Sequence, residues 1–430
     1  MTEIATALAP LGLAQDWWFE VGLGDPVYTA LDGGSLRSIS LRGDLDEDAL
    51  RSALALVVAR HGAVRTRFVR RDGAVHQVVE PARDDLDVAV VDLRDEPAER
   101  RDALAASFLG RECDRAFDVE AGPLYRIFLV RLGDAYWVLT IHFHSLVFDG
   151  WSTSIWMRDL TEAYAAARGR PAELPELAED YAAFAAWEQT QAERNLRYWR
   201  TELAGLQPTV LYPADRAARE YVAGLHFDRW DDGLVAAVRA AARALRTGGP
   251  TLLLAAYAAF LAGRAGRRDV AVLTLFGCRP RPGLEDVVGR FANALPLRLT
   301  LDSGASARDL VATMQRRVFD AVKHEHVSAA EVWRLARGAP MLAFFNYPRA
   351  GFAPEGLEVE PFAVERKDVR VALDDGATAP DDFDVLFREA GERTGVQIGY
   401  DAGRMSRGEI VSFAEAFRAF VADFVARARP

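Results

Sequence analysis

Residues 136–160 read YWVLTIHFHSLVFDGWSTSIWMRDL, and this stretch limits the folds open to the chain more than any other. It reads as an apolar strand, then a short loop carrying His-Ser-Leu-Val-Phe-Asp-Gly, then a helix. Strands and helices alternate before it as well, so the expected class is α/β. His142 and His144 stand two apart and face the same side of the strand.

A chain of 430 residues exceeds one compact core and fits two domains of about 200 residues each. In the first half, 35–41 is strand-like and 46–61 is an amphipathic helix whose acidic start suits its positive end. Residues 64–70 and 74–79 read as a hairpin around Asp72-Gly73. Residues 124–132 and 136–144 are strands joined by a Gly-Asp turn, and a helix at 152–168 follows the motif. Pro171 and Pro175 then interrupt any long helix within 168–179. The linker is placed there, dividing the chain into 1–175 and 176–430. The second half holds expected helices at 181–203, 232–246, 251–264 and 407–428. Its expected strands lie at 270–276, 294–301, 341–347 and 384–400.

Composition narrows the function classes. A net charge of -11 argues against a nucleic-acid binder. Of 52 basic residues only Lys323 and Lys367 are lysine, a bias that fits a GC-rich genome. The first twenty residues lack a basic start and carry Glu3, Asp16 and Glu20, so no secretory leader is expected. The longest apolar run, 251–263, falls short of the roughly 20 residues a membrane span requires. Cys113 and Cys278 cannot form a disulfide framework, so a reduced, cytoplasmic setting is expected.

The motif resembles the HHxxxDG sequence, followed by Trp-Ser, of nonribosomal peptide synthetase condensation domains, which belong to the chloramphenicol acetyltransferase-like superfamily. His144 stands for the first His, Asp149 and Gly150 for the Asp-Gly, and Trp151 and Ser152 for the trailing pair. Ser145 stands where the family has its second His, the residue at the bond-forming centre, so the motif here reads HSxxxDG. Other blocks resemble the family in the correct order. They are Leu13-Ala14-Gln15 with Trp18-Phe19, Arg60-His61 with Val64-Arg65-Thr66-Arg67-Phe68, Gly122-Pro123-Leu124, Tyr198-Trp199, Gly277-Cys278-Arg279-Pro280, Val288-Gly289, and residues 291–298 (FANALPLR).

The resemblance implies a V-shaped pseudo-dimer of two acetyltransferase-like subdomains with a central tunnel. Phosphopantetheine arms of two acyl or peptidyl carrier proteins would enter it from opposite faces, and no cofactor would be bound by the domain itself. With no adenylation or carrier segment in the sequence, the chain reads as a stand-alone, monomeric condensation enzyme of natural-product biosynthesis. It would pass a carrier-bound acyl or aminoacyl group to a small-molecule amine. The rival class is a non-catalytic relative that recruits a carrier protein or tailoring enzyme; a coenzyme A-dependent acyltransferase is a third reading and suffers from the same missing His.

The implied site comprises Ser145, His144 and Gly150, whose amide would face the oxyanion. Asp149 would be structural, ion-paired with Arg279. His142, Trp151, Ser152, Cys278 and Asn293 are candidate tunnel residues, although a packed strand residue is the preferred reading of His142 and a buried small residue the commoner case for Cys278. Ser145 has three readings: a hydrogen-bonding substitute with catalysis by positioning, the mark of an inactive or recruiting domain, or a nucleophile activated by a nearby His. A one-residue insertion would instead bring His144 to the catalytic place, against the unbroken Asp-Gly-Trp-Ser spacing. His324-Glu325-His326 shows no metal pattern and reads as a solvated helix end. Arg65, Arg67, Arg70 and Arg71 either receive an acidic carrier protein or simply face water.

Overall fold

The computed structural model describes residues 8–25, 27, 34–83, 86–171, 173–209, 220–302, 304–336, 338–345, 351–365, 370–372, 383–389 and 394–428. The chain begins with β1 (Leu8–Pro10) and α1 (Asp16–Glu20), then enters the first main sheet at β2 (Ser35–Gly43). Asp46 accepts a hydrogen bond from Ala49 N–H (2.9 Å) and so caps α2 (Glu47–Arg60) at its unsatisfied end. The hairpin of β3 (Thr66–Arg71) and β4 (Ala74–Val79) turns at Asp72 and Gly73, both with positive φ (53° and 80°). A tight two-residue hairpin needs that handedness at both central positions.

β5 (Ala89–Asp92) and α3 (Ala98–Cys113) lead to the hairpin β6 (Tyr125–Gly133) and β7 (Tyr136–Phe143), and α4 (Gly150–Ala167) follows the motif turn. Along β7, Trp137, Leu139, Ile141 and Phe143 pack under α2 and α4, whereas Val138 packs with Leu109 and Cys113 of α3. Helices on both sides therefore bury the whole run after Tyr136, which is why it is mostly apolar, with Thr140 and His142 the exceptions.

Past the linker the chain forms two helices, α5 (Tyr181–Gln189) and α6 (Ala192–Glu202), where one was expected over 181–203. β8 (Glu220–Arg229), α7 (Asp232–Ala244), α8 (Gly249–Ala265), β9 (Asp269–Phe276), β10 (Asn293–Thr300), α9 (Ala307–Lys323) and α10 (Ala329–Leu335) come next. The remainder is β11 (Met341–Phe345), β12 (Leu357–Pro361), β13 (Arg370–Ala372), β14 (Phe383–Arg388), β15 (Gly395–Asp401) and α11 (Arg407–Ala428). The single strand expected over 384–400 is instead the antiparallel pair β14 and β15. Residues 346–347 of the strand expected at 341–347 lie outside the described residues, as does Lys367.

The second sheet has the order β10-β9-β11-β14-β15-β8-β13, and α8, buried without a break over 252–262, lies in its core. The first sheet has the order β12-β2-β7-β6-β5. Its outer strand β12 comes from the second half of the chain and pairs antiparallel with β2, Val359 opposite Leu41. A small apolar cluster of Ala63, Tyr181, Phe184, Cys278, Val287 and Phe291 fills the junction between the halves. The architecture is two α/β subdomains joined by shared structure on both sides of the linker.

Candidate active site

The motif turn begins where β7 ends. His144 N–H donates to Leu124 O (3.0 Å), and His144 Nδ1 accepts from Leu146 N–H (3.0 Å), closing a ring around Ser145. Leu146, Val147 and Phe148 are buried, and Phe148 stacks flat on Phe143 with ring centroids 4.0 Å apart. Ser145 keeps partial exposure. The turn is short because Asp149 caps α4, accepting from Ser152 N–H and lying 2.8 Å from Ser152 Oγ. That cap also explains why α4 starts two residues before the expected helix.

Asp149 is the node of the site. Arg279 Nη1 and Nη2 reach its two oxygens at 3.0 and 3.2 Å, and the Phe291 and Ala292 N–H groups donate to Oδ2 at 3.2 Å. Burial alone would raise the pKa of this carboxyl, but the Arg279 guanidinium and the converging hydrogen bonds hold it below the usual carboxylate range. Arg279 also donates to the carbonyls of Gly277, Leu284 and Val287 and lies 4.1 Å from the Phe291 ring centre. The first turn of α4 adds further ties to the second half: Trp151 Nε1–H to Glu285 O (3.1 Å), Gly289 N–H to Ser152 Oγ (3.0 Å) and Ser152 Oγ–H to Gly289 O (3.0 Å). Gly289 admits this approach because a Cβ there would fall 2.3 Å from the Tyr181 ring.

His142 and His144 do face one side, where both rings touch Phe117 (centroids 5.1 and 5.6 Å). Trp18 closes on His144 from another side at 5.5 Å. Arg126 holds Phe117 in place, with its guanidinium 4.0 Å from the ring and its N–H groups on the carbonyls of Arg115 and Ala116 (2.7 Å each). Gly34, with a φ of 53°, passes so close that a Cβ would meet Phe143 O at 1.9 Å. Phe117, Arg126 and the supporting residues Gln15 and Gln77 were not singled out from the sequence as site residues. Only the Ala-Gln signature pointed at one of them.

Several expectations need correction. Ser152 has no exposed surface, and His142, Cys278 and Asn293 have at most 3%, so these four tunnel candidates are packed groups; Trp151 alone stays partly exposed. Cys278 adopts a left-handed backbone (φ 48°), and burial raises its thiol well above the usual range. Glu325 and His326 are not a solvated helix end. His326 Nδ1 lies 3.0 Å from Glu188 Oε1 on α5, under the rings of Phe184 and Trp187. Burial raises Glu325 to about 7, against the opposing pull of His326. Arg65 donates to the carbonyls of Val58, Ala59 and Glu80, and Arg67 pairs with Glu80, so only Arg70 and Arg71 of the arginine cluster face water. The Arg60-His61 pair has its own partner, Asp159, which both side chains reach at 2.9 Å. Two clefts, one bordered by Trp230 and Phe387 and one by Phe352 and Val359, are lined by no motif residue. Among the described residues no cluster of His, Cys, Asp or Glu is arranged to hold a metal, and no helix is long and apolar enough to cross a membrane.

Comparison with known proteins bears on the family and the fold. The Condensation domain family model matches residues 37–429. Malpinin synthetase of Mortierella alpina is 32% identical over 339 residues, 75% of this chain and 4% of that protein. Phosphinothricin tripeptide synthetase PhsC of Streptomyces viridochromogenes is 35% identical over 331 residues, 74% of this chain and 30% of that one. The chain thus spans less than a third of either relative. Among solved structures, the SgcC5 protein of Streptomyces globisporus, crystallised with (R)-(-)-1-(2-naphthyl)-1,2-ethanediol and sucrose, superposes with a TM-score of 0.75 at 26% identity. That match covers 98% of this chain and 100% of SgcC5. The X-domain from teicoplanin biosynthesis gives a TM-score of 0.76 at 25% identity, covering 100% of this chain and 97% of that one, and has also been solved in complex with OxyB. With a family match over nearly its whole length and the two-subdomain α/β fold, the chain is a member of the condensation domain family.

Proposed function

We propose that the protein condenses an acyl or aminoacyl group, carried as a thioester on the phosphopantetheine arm of a carrier protein, with a small-molecule amine. The amine nitrogen attacks the thioester carbonyl, the C–N bond forms, the C–S bond breaks, and the proton lost by the amine is balanced by protonation of the departing thiolate. His144, Ser145 and the Gly150 amide make up the bond-forming centre, with Asp149 and Arg279 as its support. The observation that carries this reading is the complete set of partners around Asp149, which keeps the turn bearing Ser145 in register although the family's second His is gone. Losing a general base costs about 10² to 10⁴ in rate. Holding two reactants in register contributes about 7 to 11 kcal/mol, so positioning outweighs the loss for a good nucleophile. An amine meets that condition; a hydroxyl acceptor is a weaker nucleophile and loses more.

A mass-spectrometric assay with acyl-loaded carrier proteins and candidate amines tests the reading, with an aryl vicinal diol of the kind crystallised with SgcC5 as the alcohol arm. Turnover with an amine is expected. Ser145→Ala should lower it by no more than about fivefold, because one neutral hydrogen bond is worth about 1 kcal/mol. Abolished turnover, with an acylated Ser145 peptide trapped in the parent protein, would reveal a nucleophile instead. The resemblance to the teicoplanin X-domain, solved with OxyB, favours recruitment of a tailoring enzyme as the second reading. No product with any carrier pair, together with tight binding of such an enzyme, would establish it.

A further inference from the structure

We infer that Gln15 is a positioning residue that keeps His144 a neutral imidazole with its proton on Nε2, so that His144 acts as a hydrogen-bond donor and not as a base. The inference rests on the reading of the 144–150 turn as the bond-forming centre. A backbone amide is a permanent donor, and Leu146 N–H points at His144 Nδ1 (3.0 Å). Nδ1 must therefore present its lone pair, which leaves the ring proton on Nε2. The single lone pair of that tautomer is already taken. His144 can accept a proton only by giving up the bond that fixes the backbone around Ser145.

Gln15 holds the other side of Leu146. Its Nε2 donates to Leu146 O (2.7 Å), while its Oε1 accepts from Gly12 N–H (2.8 Å). With a backbone acceptor on one end and a backbone donor on the other, the amide has one possible orientation. Gln77 backs it, with Oε1 at 3.2 Å from Gln15 Nε2 and its own Nε2 donating to Pro10 O (2.6 Å). Gln15, Gln77, Leu146 and His144 are all buried. The chain of bonds thus runs from β1 to the imidazole in surroundings where each bond is stronger than in water. The Trp18 and Phe117 rings flank its last member and keep water from replacing Leu146.

The test is nitrogen and carbon NMR of the full chain with labelled histidine. It has seven His signals, and that of His144 is assigned by its loss in His144→Asn. The expected wild-type result is a pure Nε2–H tautomer at neutral pH. Gln15→Met keeps the side-chain volume but removes all three side-chain hydrogen bonds. It should turn the His144 signal into a mixture of tautomers and lower kcat about tenfold or more, with KM nearly unchanged. If Gln15→Met does not fold, Gln77→Met, one bond further out, should give a smaller shift of the same sign. A wild-type His144 protonated at Nδ1 would overturn the inference, as would Gln15→Met or its stand-in with an unaltered tautomer. The tautomer reading needs no substrate, so absence of product with every carrier pair would count against the proposed reaction alone.

Discussion

Truncating Asp149 would leave the Arg279 guanidinium among the carbonyls of Gly277, Leu284 and Val287 with no counter-charge. Removing one partner of a buried ion pair costs about 3 to 5 kcal/mol, so Asp149→Ala should lower the melting temperature by many degrees and promote aggregation. A soluble variant with the parent's melting curve would show that the pair carries no such energy. Glu325 gives a prediction of opposite character. Burial raises it from 4.5 to about 7, so between those values the folded state holds a proton that the unfolded chain releases. Its contribution to stability is complete below pH 4.5 and is lost as pH rises through 7. The shift amounts to on the order of 3 kcal/mol. Glu325→Gln should flatten this part of the pH–stability curve, most visibly as a raised melting temperature at about pH 8; a curve of unaltered shape would refute the assignment. The two residues also differ in how far the sequence exposed their roles. Asp149 sits in a local motif whose next residues announce a helix start. Glu325 looked solvent-facing because the groups it meets besides its neighbour His326, namely Cys278 and Glu188, lie far away in the sequence.

Elements written in local chemistry were legible, and those written in distant packing were not. The β3–β4 hairpin followed from Asp72-Gly73, which accept positive φ. The helix α9 was overlooked although Ser306 and Asp309 form a capping box that marks its start. The break between α5 and α6 has no Pro or Gly to signal it. It serves the docking of α6, where Asn195 Nδ2 and Trp199 Nε1 donate to the carbonyls of His326 and His324. β12 is five residues, LEVEP, with weak alternation, and its partner β2 lies more than 300 residues earlier. A close loop–helix contact is Gly289 against Tyr181 of α5, a tyrosine that also donates to Arg290 O (2.7 Å). The fully buried ring has no room to withdraw, so Gly289→Ala should destabilise by about 1 to 3 kcal/mol through overpacking. Chemical denaturation would measure it, and a change within about ±0.5 kcal/mol would mean that α5 yields at little cost.

At the scale of the molecule, the question is whether the two halves, proposed to divide near residue 175, are separate folding units. Three connections argue that they are not. β12 completes the first sheet from the second half, Asp149 draws its partners from residues 279, 291 and 292, and Leu13 O accepts from Ala329 N–H while Leu13 N–H donates to Glu188. Each connection fixes a group in one half that would otherwise be buried unsatisfied or left as an open strand edge, a cost that falls due if the other half unfolds first. Calorimetry on the full chain should therefore show one endotherm, with calorimetric and van't Hoff enthalpies in agreement, despite a length at which domains usually part. Asp149→Ala weakens one of the three connections and should broaden that endotherm as well as move it. Two resolved transitions in the unaltered protein would show that the shared strand and the Asp149 node are too weak to couple the subdomains, and would leave the site at their junction open to motion between them.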